Sequence, residues 1–238
     1  MHPIIAKIGP FTIYSYGMMV AIAFLFGIFI AKLEAIRKKI NPDLAYDFSF
    51  YILVGALVSA RIYYILFFDL KGFLNDPLYI FKVWQGGLSI HGGIFGGIAT
   101  GLIFSRIRKI SFWILADLIA PSIILGQAIG RLGCFLNGCC SGLPIKPFCG
   151  VNSHPTQIYE LILDFIGFSL LWSLRKNIKF EGGLFLLYLM MYAAIRIIVS
   201  QFRADNFYLL GTNLTLAGLT SVIIFTTAII LYIKKRHG

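Results

Sequence analysis

An all-α, polytopic membrane protein with about seven transmembrane helices and a small outer-face loop region is the fold class this sequence predicts. Three observations carry the prediction. Of 238 residues, 58% are apolar and 13% charged, whereas soluble domains are about a quarter charged. The apolar residues fall into runs of roughly twenty, the length that crosses a hydrocarbon core. Lys and Arg collect in every second connection between those runs, the asymmetry that orients membrane helices.

The runs lie near 11 to 31, 45 to 67, 88 to 105, 112 to 130, 156 to 174, 183 to 202 and 214 to 233, which makes residues 1 to 238 a single integral-membrane domain with no soluble domain attached. The first is expected to remain as a helix, because MHPIIAKIGP has no clustered basic region and no small-residue cleavage site follows the apolar core. The second ends near Phe67 and contains Arg61. The third opens at His91 within GGLSIHGGIFGG, and Gly92 with Gly96, and Gly93 with Gly97, have the spacing that lets helices pack closely. The fourth is followed by GRLGCFLNGCCSG, residues 130 to 142. The fifth follows HPTQIYE, in which Pro155 suits a helix's first turn. The sixth carries Tyr192, Arg196, Ser200 and Arg203 at i, i+4, i+8 and i+11, one helical stripe. The seventh ends in Lys234, Lys235 and Arg236.

Basic residues follow spans one, three, five and seven, among them Arg37, Lys38, Arg106, Arg108, Arg175 and Lys176, while the other side's loops hold only Lys7, Lys71, Lys82, Lys146 and Arg203. The positive-inside rule therefore predicts an outer N-terminus and a cytoplasmic C-terminus. The net charge of +11 follows from this topology and from anionic inner-leaflet lipid, so no nucleic-acid partner is expected. With a rise of about 1.5 Å per residue, Tyr16, Arg61, His91, Arg131 and Arg196 all fall in the outer leaflet. An intramembrane charge is costly and faces protein or water, and guanidinium forks match phosphate oxygens in pairs. Arg131, Arg196 and Arg203 thus suggest a phospholipid headgroup site. Each feature also has a plainer reading: an Arg that snorkels, a Tyr in an aromatic belt, a Gly that only packs helices.

The segments WQGGLSIHGG, GRLGCFLNG, HPTQIYE and GLFLLYLMMYAAIRIIVSQFR, with GPFTIYSYGMM and ARIYYILFFD, resemble those of the prolipoprotein diacylglyceryl transferases, in order over nearly the whole chain. The resemblance implies a bacterial inner-membrane enzyme. Such an enzyme moves the diacylglyceryl group of phosphatidylglycerol onto the lipobox Cys thiol in the signal peptide of a prolipoprotein, forming a thioether and releasing glycerol 1-phosphate. It places the family's headgroup-binding Arg on Arg131, its essential His on His91, its N-terminal Tyr on Tyr16, its later Tyr and Arg on Tyr192 and Arg196, and its closing Gly on Gly142. Cys134 stands where the signature usually has Asn, Cys139 where it has Glu, and Ser200 where span six often has Glu.

That chemistry needs a thiolate, and a free thiol ionises only near pH 8.5. His91 is the candidate base, against a role of hydrogen-bonding backbone. Arg131 and Arg196 are the candidates to hold the phosphodiester and the departing phosphate; Tyr16, Arg61, Tyr192, Asn137, Gly142 and Arg203 are the further candidates for substrate contact. No ATP, metal or other cofactor is expected. His154 and Glu160 read mainly as structural, with Thr156, Gln157 and Glu160 meeting backbone and Arg partners at a helix start. Cys134, Cys139, Cys140 and Cys149 are even in number on the oxidising side, which points to two structural disulfides bracing the outer loop. Zinc binding is the weaker reading because an adjacent pair lacks the usual two-residue gap; redox chemistry at Cys139 and free thiols are the others. Two competing functions remain, a membrane thiol oxidoreductase and a lipid-binding or transport protein. The second is disfavoured because the polar residues sit on one side only.

Overall fold

The computed structural model describes residues 3–8, 11–83, 86–148, 151–204 and 215–237. Its helices are α1 (Ser15–Arg37), α2 (Pro42–Phe68), α3 (Leu70–Asn75), α4 (Ile90–Arg108), α5 (Phe112–Asn137), α6 (Thr156–Leu174), α7 (Gly183–Ser200) and α8 (Leu216–His237). All except the short α3 are long and apolar enough to cross a membrane. The seven expected spans are therefore present, and the protein is a multi-pass membrane protein. Two small antiparallel hairpins accompany them, β1 (Ile4–Ile8) with β2 (Phe11–Tyr14), and β3 (Pro144–Phe148) with β4 (Val151–Ser153).

Two of the boundaries that differ from the sequence reading bear on the site. Residues 11 to 14, read as the start of span one, form β2, with Thr12 opposite Lys7, so α1 begins at Ser15. Helix α5 runs on to Asn137 instead of ending at 130, which places Arg131 within it. Gly133 lies within that helix where α1 fills the space a side chain would need: a Cβ there would lie 2.9 Å from Met19 Cβ and 3.3 Å from the Tyr16 ring.

The chain forms two compact units, Lys32–Leu115 and a discontinuous one of Met1–Ala31 with Ala116–Gly238. In the first, α2 and α4 pack antiparallel. A Cβ on Gly96 would come within 2.3 Å of Ser59 Cβ and 2.5 Å of the Gly55 carbonyl, and one on Gly92 within 2.5 Å of Tyr63 Cβ. The close-packing reading thus holds for Gly92 and Gly96, whereas Gly97 faces open space. The Phe48 and Phe104 rings, 5.1 Å apart, close the other end of the pair.

The second unit is built on Ala120, Ile124, Leu171, Leu184 and Tyr188, a buried cluster from α5, α6 and α7. Asp117 of α5 accepts hydrogen bonds from Gly182 N (3.0 Å) and Phe185 N (2.9 Å). This satisfies donors that the start of α7 would otherwise leave open, and it places a negative charge at the positive end of the helix. Ser122 Oγ donates to the Gly27 carbonyl at 2.7 Å, tying α1 to α5. Side chains such as Leu25, Phe26, Phe29, Phe165 and Ile166 point outward, as helices bathed in hydrocarbon require.

Candidate functional site

At one end of the discontinuous unit, the start of α1, the end of α5, the start of α6 and the end of α7 meet around a single carboxylate. Glu160, one turn into α6, accepts Arg131 Nε on Oε2, and both Arg196 (2.9 Å) and Arg203 (3.1 Å) on Oε1. Three cations on one anion leave a positive excess in a partly dehydrated setting. Asp164, buried one turn further along the same face of α6, interacts with both Glu160 and Arg131. Even with both carboxylates ionised the three guanidiniums outnumber them.

Exposure separates the three arginines. The Arg203 side chain is 6% exposed, against 25% for Arg131 and 23% for Arg196. Arg203 is buried where it meets Glu160, while Arg131 and Arg196 keep an open side and engage Glu160 through one nitrogen each. This is an arrangement suited to an anion with several oxygens, since the guanidiniums are already ordered. Arg203 lies beyond the last turn of α7 and pairs across an isolated bridge with Gly142. Gly142 N donates to the His154 carbonyl (2.9 Å) and Leu143 N to the Phe202 carbonyl (2.8 Å). A Cβ on Gly142 would sit 2.3 Å from the Phe202 carbonyl. Buried contact of this kind lets Gly142 position Arg203.

Tyr16 is brought to the same place, its ring against Gly133, and it is nearly half exposed. Tyr192 lies one turn before Arg196, with its ring 6.2 Å from that of Tyr188 and packed on the core. Asn137 is exposed as the last residue of α5. Ser200 is buried, and its hydroxyl donates to the Ile197 carbonyl at 2.8 Å. His154 lies beside Tyr159, Nδ1 to hydroxyl 3.3 Å, and against the Phe202 ring, the structural role expected of it.

Helix α5 ends in a left-handed turn that gathers the thiols. Gly138 has φ of 78°, Gly138 N bonds Phe135 O and Cys139 N bonds Cys134 O, the paired bonds of a glycine-closed helix terminus. Cys140 is left-handed too, with φ of 63°. The turn is held by α6: Thr156 Oγ1 donates to the Cys140 carbonyl (2.8 Å) and Gln157 Nε2 to the Cys139 carbonyl (2.5 Å). Cys134, Cys139 and Cys140 are free thiols, so the expected pair of structural disulfides is absent among the described residues; Cys149 lies outside them. Hydrogen bonding from Cys134 and Cys139, together with the Arg203 charge, pulls the Cys140 thiol down to about 5 against the cost of burial.

Arg61 and His91 belong to the unit Lys32–Leu115. Arg61 is 2% exposed, and its five N–H donors meet five backbone carbonyls: Nε on Ile80, NH1 on Gly86 and Gly87, NH2 on Tyr79 and Lys82. That corrects its assignment to substrate, because no donor is left over; Arg61 organises the connection between α3 and α4. His91 is exposed in the first turn of α4, its ring 6.3 Å from that of Tyr63. Sequence reasoning underrated Glu160 and passed over Asp164. The available signal was that these are the only acids of span five, four residues apart, at a depth where three arginines needed a counter-charge.

Fold and side-chain geometry together define a multi-pass membrane protein in which two partly exposed arginines, Arg131 and Arg196, are held on one carboxylate. The prolipoprotein diacylglyceryl transferase family model matches residues 3–234. Relatives named phosphatidylglycerol--prolipoprotein diacylglyceryl transferase include those of Geobacillus kaustophilus (40% identical, covering 96% of this chain and 90% of the relative) and Trichormus variabilis (38%, 98% and 91%). That of Fusobacterium nucleatum is 35% identical over 100% of this chain and 99% of its own. The chain belongs to the prolipoprotein diacylglyceryl transferase family.

Proposed function

We propose that this protein is a phosphatidylglycerol--prolipoprotein diacylglyceryl transferase, acting at the outer face of the bacterial inner membrane with its N-terminus outside and C-terminus in the cytoplasm. The observation that carries the reading is the pair Arg131 and Arg196, held on Glu160 with their open sides available, in a chain of this family. The lipobox Cys sulfur of the precursor's signal peptide attacks the glyceryl carbon that bears the phosphodiester oxygen. A C–S bond forms, the C–O bond breaks, and the electron pair leaves on glycerol 1-phosphate. Arg131 and Arg196 bind the phosphodiester and stabilise the charge that localises on the leaving phosphate, an effect larger in a site poor in water. His91 takes the thiol proton, and Tyr16 donates to a phosphate or ester oxygen. Tyr192 and Asn137 border the headgroup site.

Complementation of a strain depleted of its own transferase tests this, with the mass of a lipoprotein as readout. The expected result is rescue with a diacylglyceryl mass increment, and loss of at least about a hundredfold in transfer for Arg131→Ala. A well-expressed wild-type chain that leaves precursors unmodified would overturn the activity, and full transfer by Arg131→Ala would overturn the site. A C-terminal reporter that fluoresces only in the cytoplasm checks the orientation.

A further inference from the structure

The three thiols of the α5 turn are not needed for holding phosphate, yet the fold gathers them with care. Their sulfurs all lie within 4.8 Å of one another, with Cys134 buried and the other two half-buried. In sequence, Cys139 and Cys140 are adjacent, which argues against shared ligation by a linear motif. The glycine-closed helix end removes that objection, because its bond from Cys139 N to Cys134 O (3.1 Å) folds the adjacent pair back over the last turn of α5. The left-handed Cys140 then turns its side chain to the same side, an uncommon backbone for a residue with a Cβ. It is kept there by the hydrogen bonds of the two carbonyls to Thr156 and Gln157, both buried.

We propose that Cys134, Cys139 and Cys140 form a three-thiolate binding site for a zinc-class ion, a thiophilic d10 cation, next to the arginine cluster. Metal–sulfur bonds of about 2.3 Å in a tetrahedral array put sulfurs about 3.8 Å apart, so closure requires a shift of roughly an ångström at most from a 4.8 Å separation. Binding releases the thiol protons. Three thiolates and a divalent cation sum to one negative charge, which the neighbouring Arg203 offsets. The fourth coordination position is left for solvent or an incoming ligand. Since the turn hangs from Thr156 and Gln157, one turn before Glu160, the ion would brace the helix start that carries the arginine-holding carboxylate.

The test is a Cd2+ titration of the reduced, purified full chain in detergent, following the ultraviolet thiolate-to-metal charge-transfer band. A parallel experiment adds Zn2+, alkylates, and maps the protected cysteines by mass spectrometry. The expected result is one ion per chain, protection of all three thiols, and affinity weakened by more than roughly a hundredfold in Cys134→Ser, Cys139→Ser and Cys140→Ser alike, beyond the loss of an outer-sphere partner. Absence of the band at one equivalent, or alkylation of the three thiols unaffected by Zn2+, would overturn the proposal in the wild-type chain without reliance on any variant. Unchanged binding in any one of the three Ser variants would overturn the assigned ligand set. Neither readout depends on transfer activity.

Discussion

Replacing Glu160 by Gln keeps the shape of the hub and removes its charge. In the native protein its carboxylate, 4% exposed, takes Arg131 on one oxygen and Arg196 and Arg203 on the other. The amide retains one acceptor oxygen and presents an NH2 to guanidiniums that can only donate. Breaking a buried ion pair from one side costs about 3–5 kcal/mol. Arg203, 6% exposed, should bear most of this, while Arg131 and Arg196, near a quarter exposed, recover part of theirs from water. The lower end, about 3 kcal/mol, corresponds to a fall in Tm of roughly 6–12 °C for a chain this long. Thermal unfolding in detergent, followed by circular dichroism, measures it. A Tm within about 2 °C of wild type for Glu160→Gln, roughly the shift of 1 kcal/mol or less, would refute the view that this carboxylate holds the cluster together.

Other consequences can be checked separately. Arg61→Lys offers three donors to five carbonyls and should destabilise by about 3 kcal/mol, with faster hydrogen exchange confined to the connection between α3 and α4; unchanged exchange there would contradict the staple role. Gly96→Ala, whose Cβ would meet Ser59 and the Gly55 carbonyl, should cost about 1–3 kcal/mol, whereas Gly97→Ala, facing open space, should stay within about 0.5 kcal/mol. Cys140, held near 5 by hydrogen bonds that favour its thiolate, should be alkylated at a nearly constant rate as pH falls from about 8 to 6 in metal-free protein. An ordinary thiol, near 8.5, would slow about tenfold per unit over that range. The sign follows from the lowered value: the thiolate persists until pH approaches 5 and is lost only below it.

Much was legible in the residues alone. Run length and the distribution of Lys and Arg gave seven spans, and the spacing of Arg196 and Arg203 put both on one side of the sixth. The family motifs named the same Arg131 that the fold brings to them. The run of apolar residues stops near 130, but helix α5 continues to Asn137, with Gly133 admitting Met19 and Tyr16 of α1. Arg61 was misread. Its partners are carbonyls of residues 79 to 87, and every residue has a carbonyl, so no pattern of side chains announces them.

Sequence by itself determined the solvent of this protein, the number of its crossings and the residues costly enough in hydrocarbon to need a purpose, because hydrophobic length and charge are local quantities summed along a chain. Which of those residues face one another was decided by tertiary structure. One carboxylate on α6 collects arginines from α5 and from the end of α7, and a turn of two left-handed residues brings adjacent cysteines back over a third. Both outcomes depend on where several helix ends converge, and convergence is a property of packed helices that no single segment carries.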